Sequence, residues 1–422
     1  MLRLIKKNEF IRNVAILCSG TAMAQAIPIA VSPVLSRIYT PEEFGLLALF
    51  VSCVSVLAVI ATGRYEIAIM LPASHEDAAN LVSFSLKLCV AASLLFYVPI
   101  VLFDHAIAAA LGNVELAPWL YLLPLAVVAT SVFNIFQFWC NRVSEYRKMS
   151  ANRIQNAGLN AVFNVILGLG KVPGGMIYGA IAGQGLAALL IGRSVWSRHR
   201  DRFEATSKAR EWALARQYKH HPSHIAPAQL IGVAAQQIPI LLISHVFSLA
   251  TAGHFSLAYR MVSLPTWLVA NAIGDVYRQR IAQAYNTRGE FRDIFLATVA
   301  KTTLLAAPPF VVLYFISPYA FATVFGESWR EAGEYARILV VSSFFQFVFT
   351  PTDKGALVVG ATTYILAWHT ARLLALAGLF LYASLGDPGI DRILWLFVLV
   401  NVCLYTIDGV AGYVYASRGK HG

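Results

Sequence analysis

The sequence predicts an all-α, polytopic membrane protein of about twelve transmembrane helices in two halves of about six. Three observations predict it. First, 58% of the 422 residues are hydrophobic and 13% are charged, where a soluble globular chain has roughly 45–50% apolar and about 25% charged residues. Second, the apolar excess falls in blocks of about 20 residues, the length that crosses a hydrocarbon core. These blocks recur along the whole chain and leave no stretch for a separate soluble domain. Third, Lys and Arg concentrate in alternate connections, as they do when basic segments are retained on one side of a bilayer.

The spans are expected near residues 13–36, 44–62, 82–103, 119–139, 155–170, 174–192, 225–247, 255–274, 296–316, 336–352, 361–384 and 393–416. Ahead of the first lie Arg3, Lys6, Lys7 and Arg12, and Ala22-Met23-Ala24 resembles a cleavage site. The apolar run continues to Leu35, which predicts a retained first span. Pro28 in the first span and Pro239 in the seventh each free a backbone carbonyl and permit a bend. The fifth span is short and carries Asn156, Asn160 and Asn164. Gly175, Gly179 and Gly183 recur every fourth residue along the sixth and predict a groove for close helix packing.

Orientation follows from charge. Of 33 Lys and Arg, the outer loops would hold only Arg37, Lys171, Arg330, Arg337 and Arg392, while Arg260 and Arg372 fall within spans. The rest lie in or beside the inner segments, which puts both termini in the cytoplasm. The longest inner loop, 193–222, is rich in Arg, Lys and His and separates an N-terminal six-helix lobe, 1–192, from a C-terminal one, 223–422. Its stretch Glu204 to Tyr218 reads as a helix, either along the membrane surface or as a solvated linker. An internal repeat supports the division. Ala24-Gln25-Ala26-Ile27-Pro28-Ile29 resembles Ala235-Gln236-Gln237-Ile238-Pro239-Ile240, and Ser131, Phe133, Phe136 and Phe138 match Ser342, Phe344, Phe347 and Phe349 at the same offset. An even number of spans per half gives the halves the same orientation.

The net charge of +11 belongs to short loops between spans, which argues against nucleic acid as a partner. Cys18, Cys53, Cys89, Cys140 and Cys403 lie in or beside apolar blocks without metal-ligand spacing, and read as buried, inert thiols. No GxSxG elbow, Walker loop or HExxH motif occurs, so neither an enzyme nor a cofactor is expected. His220, His221 and His224 read as a partly charged loop.

The informative residues are ionisable groups within the bilayer, each of which costs roughly 2.5–3.5 kcal/mol at mid-span. They are expected to face a water-filled interior or a partner. Arg260 lies in the eighth span and Arg372 in the eleventh, with Asp408 in the twelfth as a partner for Arg372. Arg64 and Glu66 mark the inner end of the second span, Arg37 the outer end of the first, and Asp275 the close of the eighth. The planar guanidinium fork suits phosphate oxygens, so Arg260, Arg64, Arg372 and Arg37 are candidates for binding an anionic substrate such as a pyrophosphate. Asp408, Glu66 and Asp275 are candidates for ion coupling or ion pairs.

Pro33-Val-Leu-Ser-Arg37-Ile-Tyr-Thr-Pro41-Glu-Glu-Phe-Gly45 resembles the opening of Wzx-type polysaccharide flippases. Gly63-Arg64-Tyr65-Glu66, Tyr218-Lys-His-His-Pro222 and Gly253-His-Phe-Ser-Leu-Ala-Tyr-Arg260 follow the same pattern in the same order. The resemblance implies membership of the multidrug/oligosaccharidyl-lipid/polysaccharide exporter superfamily. It implies two six-helix lobes around a central cavity, alternating access, and flipping of an undecaprenyl-pyrophosphate-linked oligosaccharide across the bacterial inner membrane for O-antigen, capsule or exopolysaccharide. Partners would be the polyprenyl-linked glycan, membrane lipids and the polysaccharide polymerase machinery. A drug or cation exporter of the same superfamily would favour an acidic interior instead. A membrane glycan polymerase would carry a long outer loop, and the longest here runs only from about Ser317 to Tyr335.

Overall fold

The computed structural model describes residues 2–386 and 388–417. The side chains of residues 2–15, 17, 18, 267, 354, 362, 365 and 366 lie outside that description, and with them the N-terminal basic cluster and Cys18. Among the described residues every regular element is helical. The long helices are α1 (Leu2–Ile38), α2 (Pro41–Thr62), α3 (His75–Ala110), α4 (Leu123–Arg142), α5 (Tyr146–Leu169) and α6 (Gly175–Glu204). A short α7 (Lys208–Gln217) precedes α8 (Ala226–Val246), α9 (Leu249–Pro265), α10 (Asn271–Arg288), α11 (Arg292–Phe325), α12 (Arg330–Phe349), α13 (Thr362–Leu385) and α14 (Ile390–Ser417). Each expected span overlaps one of these helices. Seven helices among the described residues are long and apolar enough to cross a membrane, and the chain is an all-α, multi-pass membrane protein.

Helix boundaries follow local chemistry. Thr40 and Glu43 form a reciprocal capping box at the start of α2, with Pro41 in the first turn. Ser74, Ser207 and Ser248 each accept a backbone N–H at the starts of α3, α7 and α9. The first turn of α3 adds Glu76 and Asp77, which complement the helix dipole. Pro28 and Pro239 lie inside helices that continue past them. The interruption in α3 is at Phe103, whose backbone is non-helical, four residues after Pro99.

The eighth span differs from expectation. A π-turn, Thr266–Ala270, joins α9 to α10, and the helix runs on to Arg288. Asp275, expected at the close of the span, is an exposed residue within this longer helix, 3.7 Å from Arg278. Between α11 and α12 the chain is also more regular than a loop of that length suggests, with Glu327–Trp329 forming a 3-10 turn after Gly326.

The chain divides into two compact units, Met1–Ala234 and Ala235–Gly422. In the first unit the glycine stripe of α6 does what its spacing predicts. A Cβ on Gly183 would stand 2.6 Å from the Asn160 Cα, and one on Gly179 3.0 Å from the Asn164 Cα. The asparagines of the polar fifth span thus lie against the glycines of the sixth. The Tyr39 hydroxyl closes the end of this packing by donating to the Asn164 carbonyl at 2.8 Å. At the end of α4, Arg142 gathers the backbone carbonyls of Met70, Pro72, Ala73 and Ser74, which satisfies the loop that leads into α3.

The connection after α6 is a docked element. Helix α7 packs on this unit with Leu214 and Ala215 in the buried core beside Trp139 and Leu81. Glu211, almost fully buried, accepts from Lys87 Nζ through both oxygens at 2.8 Å. Arg210 meets Asp77 with two hydrogen bonds of 2.6 Å. In the second unit, Tyr277 and Ile281 of α10 pack with Phe291, Phe295 and Ala416. Gly289, at φ 82°, makes the turn that reverses the chain between α10 and α11.

The thiols are less uniform than expected. Cys89 and Cys140 are buried and Cys53 is half-buried, but Cys403 is exposed on α14. It sits on a helix face that packs against no other element strongly enough to cover it.

Candidate functional site

The sequence-selected charges fall into separate places, two clusters and three isolated positions. In the first unit, Gly63 and Arg64 both adopt left-handed backbone conformations, at φ 52° and 59°. This turn ends α2 and folds the Arg64 side chain back, so that Nη1 donates to Glu66 Oε1 at 3.0 Å. The Glu66 side chain is only 3% exposed. The pair is incompletely satisfied, because Arg64 Nε and Glu66 Oε2 are buried without hydrogen-bond partners.

The same turn brings together two motifs far apart in the sequence. The Tyr65 hydroxyl donates to the Ala215 carbonyl at 3.0 Å. A Cβ on Gly63 would lie 3.4 Å from the Pro222 Cβ. Gly63-Arg64-Tyr65-Glu66 therefore packs against the segment that ends in Tyr218-Lys-His-His-Pro222. Sequence reading had both motifs but not their contact, since no local pattern links residues more than a hundred positions apart.

In the second unit the ionisable residues of α13 and α14 form a cluster, but not as the expected ion pair. Arg372 does not bond to Asp408. Its guanidinium stacks over the Trp368 ring, 5.7 Å from the centroid, and its Nε is buried without a partner. Asp408 accepts from the Tyr364 hydroxyl at 2.8 Å. Trp368 Nε1 donates to the Leu404 carbonyl at 3.3 Å, and its ring lies 6.2 Å from that of Tyr405. The reason is helical spacing. Tyr364, Trp368 and Arg372 are four residues apart and share a face of α13, while Leu404, Tyr405 and Asp408 share one on α14. Tyr364 lies level with Asp408, and Arg372 is two turns further along. That periodicity was the signal that could have found Tyr364 and Trp368.

Arg260 stands apart. It is exposed on α9, and among the described residues it makes no hydrogen bond or ion pair. The buried hydroxyls of Ser263 and Thr266, further along the same helix, are also unpartnered. Arg37 is exposed in the last turn of α1, and Asp275 is held by Arg278. No group of three or more His, Cys, Asp or Glu side chains suited to a metal occurs among the described residues.

A family model described as "Polysaccharide biosynthesis protein" matches residues 34–334, which include the candidates Arg37, Arg64 and Arg260 but not Arg372. The chain belongs to this family. It is 26% identical over 378 residues to the succinoglycan biosynthesis transport protein ExoT of Rhizobium meliloti, a match covering 88% of this chain and 74% of that one. Teichuronic acid biosynthesis protein TuaB of Bacillus subtilis matches 43% of this chain and 37% of its own length at 22% identity. Among solved structures, the inward closed form of the lipid II flippase MurJ aligns with a TM-score of 0.69 at 13% identity, covering 95% of this chain and 86% of that one. An inward-facing MATE-family multidrug transporter of the MOP superfamily aligns with a TM-score of 0.66 at 15% identity, covering 95% and 94%. The polysaccharide biosynthesis chain thus has the fold of MOP-superfamily transporters.

Proposed function

We propose that the protein is a flippase that moves a polyprenyl-pyrophosphate-linked oligosaccharide from the inner to the outer leaflet of the bacterial inner membrane, by alternating access, for surface polysaccharide assembly. Family membership supports the polysaccharide context, and a relative named as a succinoglycan transport protein supports the transport step. The observation that carries the reading is Arg260. A permanent charge within an apolar helix cannot lie in hydrocarbon without a cost of several kcal/mol. Arg260 has no acidic partner among the described residues to offset that cost, which supports a place for it on the water-filled side of its helix in this reading. There a free guanidinium fork is suited to an incoming pyrophosphate.

Arg372 is the second candidate in the same unit, with its Nε free and its charge held over an indole. Arg64 is committed to Glu66, and Arg37 is exposed at a helix end, so the reading leans on them less. In this proposal two six-helix lobes, 1–192 and 223–422, are joined by the basic segment 193–222, with both termini cytoplasmic.

The test is Arg260→Ala in a strain that depends on this chain. We expect loss of surface polysaccharide and accumulation of the lipid-linked oligosaccharide, with the protein still at normal level in the membrane. Normal assembly with both Arg260→Ala and Arg260→Glu would remove Arg260 from the mechanism.

A further inference from the structure

The second unit contains a groove that none of the foregoing uses. A cavity of about 730 Å³ lies between α11 and the helix formed by the π-turn and α10. Its walls are aliphatic, with Leu268, Val269, Val276 and Leu305 among them. Val269, Val276 and Leu305 are themselves exposed, as are Leu296 and Leu304 beside them. The groove therefore opens onto a strip of apolar surface.

Two cations line the same groove. Arg280 and Lys301 are exposed there, and neither has an ion-pair partner among the described residues. The one acid in the lining, Asp293, is 3.6 Å from Arg288 and so is already countered. The proposed flippase function uses neither Arg280 nor Lys301.

We propose that this groove is a binding site for an anionic phospholipid of the bilayer, with its phosphate held by Arg280 and Lys301 and its acyl chain against Val269, Val276 and Leu305. The charge pattern favours this occupant. Two unpaired cations at an apolar groove complement a lipid phosphate, and basic pockets between transmembrane helices take such headgroups. The π-turn contributes by placing Leu268 and Val269 in the wall, where an uninterrupted α-helix would rotate them by a different angle.

The test uses the purified full chain with phosphatidylglycerol and phosphatidylcholine at equal concentration, and native mass spectrometry as the readout. We expect wild type to retain phosphatidylglycerol in preference. The double variant Arg280→Gln with Lys301→Gln should bind it about 30-fold more weakly, from about 1 kcal/mol per basic residue. Arg278→Gln with Lys219→Gln removes the same charge outside the groove and should leave retention unchanged. Ala272→Trp fills the groove while keeping both cations and should also abolish retention. Equal losses in both double variants, or none in either, would overturn the site. Competition by glycerol phosphate as strong as by the intact lipid would remove the role of the groove. Preference for a polyprenyl pyrophosphate over phosphatidylglycerol at the same residues would overturn the phospholipid assignment.

Discussion

Lys87 and Glu211 hold α7 on the first unit, and the two should not be equivalent. The Lys87 side chain is 57% exposed and the Glu211 side chain 5%. In Lys87→Met the apolar stem is preserved, but a carboxylate is left in the interior without its cation. Removing one partner of a buried pair costs about 3–5 kcal/mol, and the half-exposed position of Lys87 puts the expected loss near the lower end, about 3 kcal/mol. In Glu211→Gln the shape is preserved and Lys87 returns its ammonium to water, so the loss should be about 1 kcal/mol. The difference of about 2 kcal/mol is roughly a 30-fold difference in local opening. Hydrogen exchange of the amides in Lys208–Gln217 measures it, because docking is what protects them beyond the helix itself. The double variant should be better protected than Lys87→Met alone, since the neutral amide needs no cation. Equal losses in the two single variants, or a greater loss in Glu211→Gln, would refute the reasoning that burial of the carboxylate sets the cost.

Other outcomes follow from the same structure. Gly183→Val would drive a side chain into the Asn160 backbone and should cost about 3 kcal/mol, seen as a lower melting temperature of the purified protein. Gly185→Ala, where nothing lies within 4 Å, should gain about 0.5 kcal/mol in the same measurement. Tyr364→Phe removes the hydrogen bond to Asp408 and should cost about 1.5–3 kcal/mol, whereas Arg372→Gln should leave the Tyr364–Asp408 bond intact because Arg372 does not share it. Arg260→Lys keeps the charge but not the fork. It should restore surface polysaccharide only partially relative to Arg260→Ala, measured in the same strain.

The helical intervals were legible because their signals are local. An apolar block, a capping Ser or Thr and a glycine at a turn each act within a few residues, and the helices of the seventh, eleventh and twelfth spans begin and end within about three residues of the expected bounds. The glycine stripe of α6 was legible for the same reason. Its partner was not. Asn160 and Asn164 made the fifth span look weak on composition alone, and their place against the glycines emerges only when α5 and α6 pack. The helical continuation past the eighth span was not legible, because the backbone absorbs Pro265 in a π-turn at Thr266–Ala270 and runs on to Arg288.

The candidate residues are legible as charges in or beside apolar spans, but their relations are not. Charge sign suggests that Arg372 and Asp408 should meet, and helical geometry decides otherwise by placing Tyr364 and Trp368 between them. The sequence by itself determined that this is an all-α, multi-pass membrane chain with polysaccharide-flippase motifs, because hydrophobicity, charge and short motifs are properties of neighbouring residues. Only the tertiary structure decided which charges are spent and which are free: Arg64 on Glu66, Asp275 on Arg278, and Arg260 on nothing among the described residues. The reason is that pairing depends on which helix faces meet, and that is fixed by packing across the whole unit rather than by any stretch of the chain.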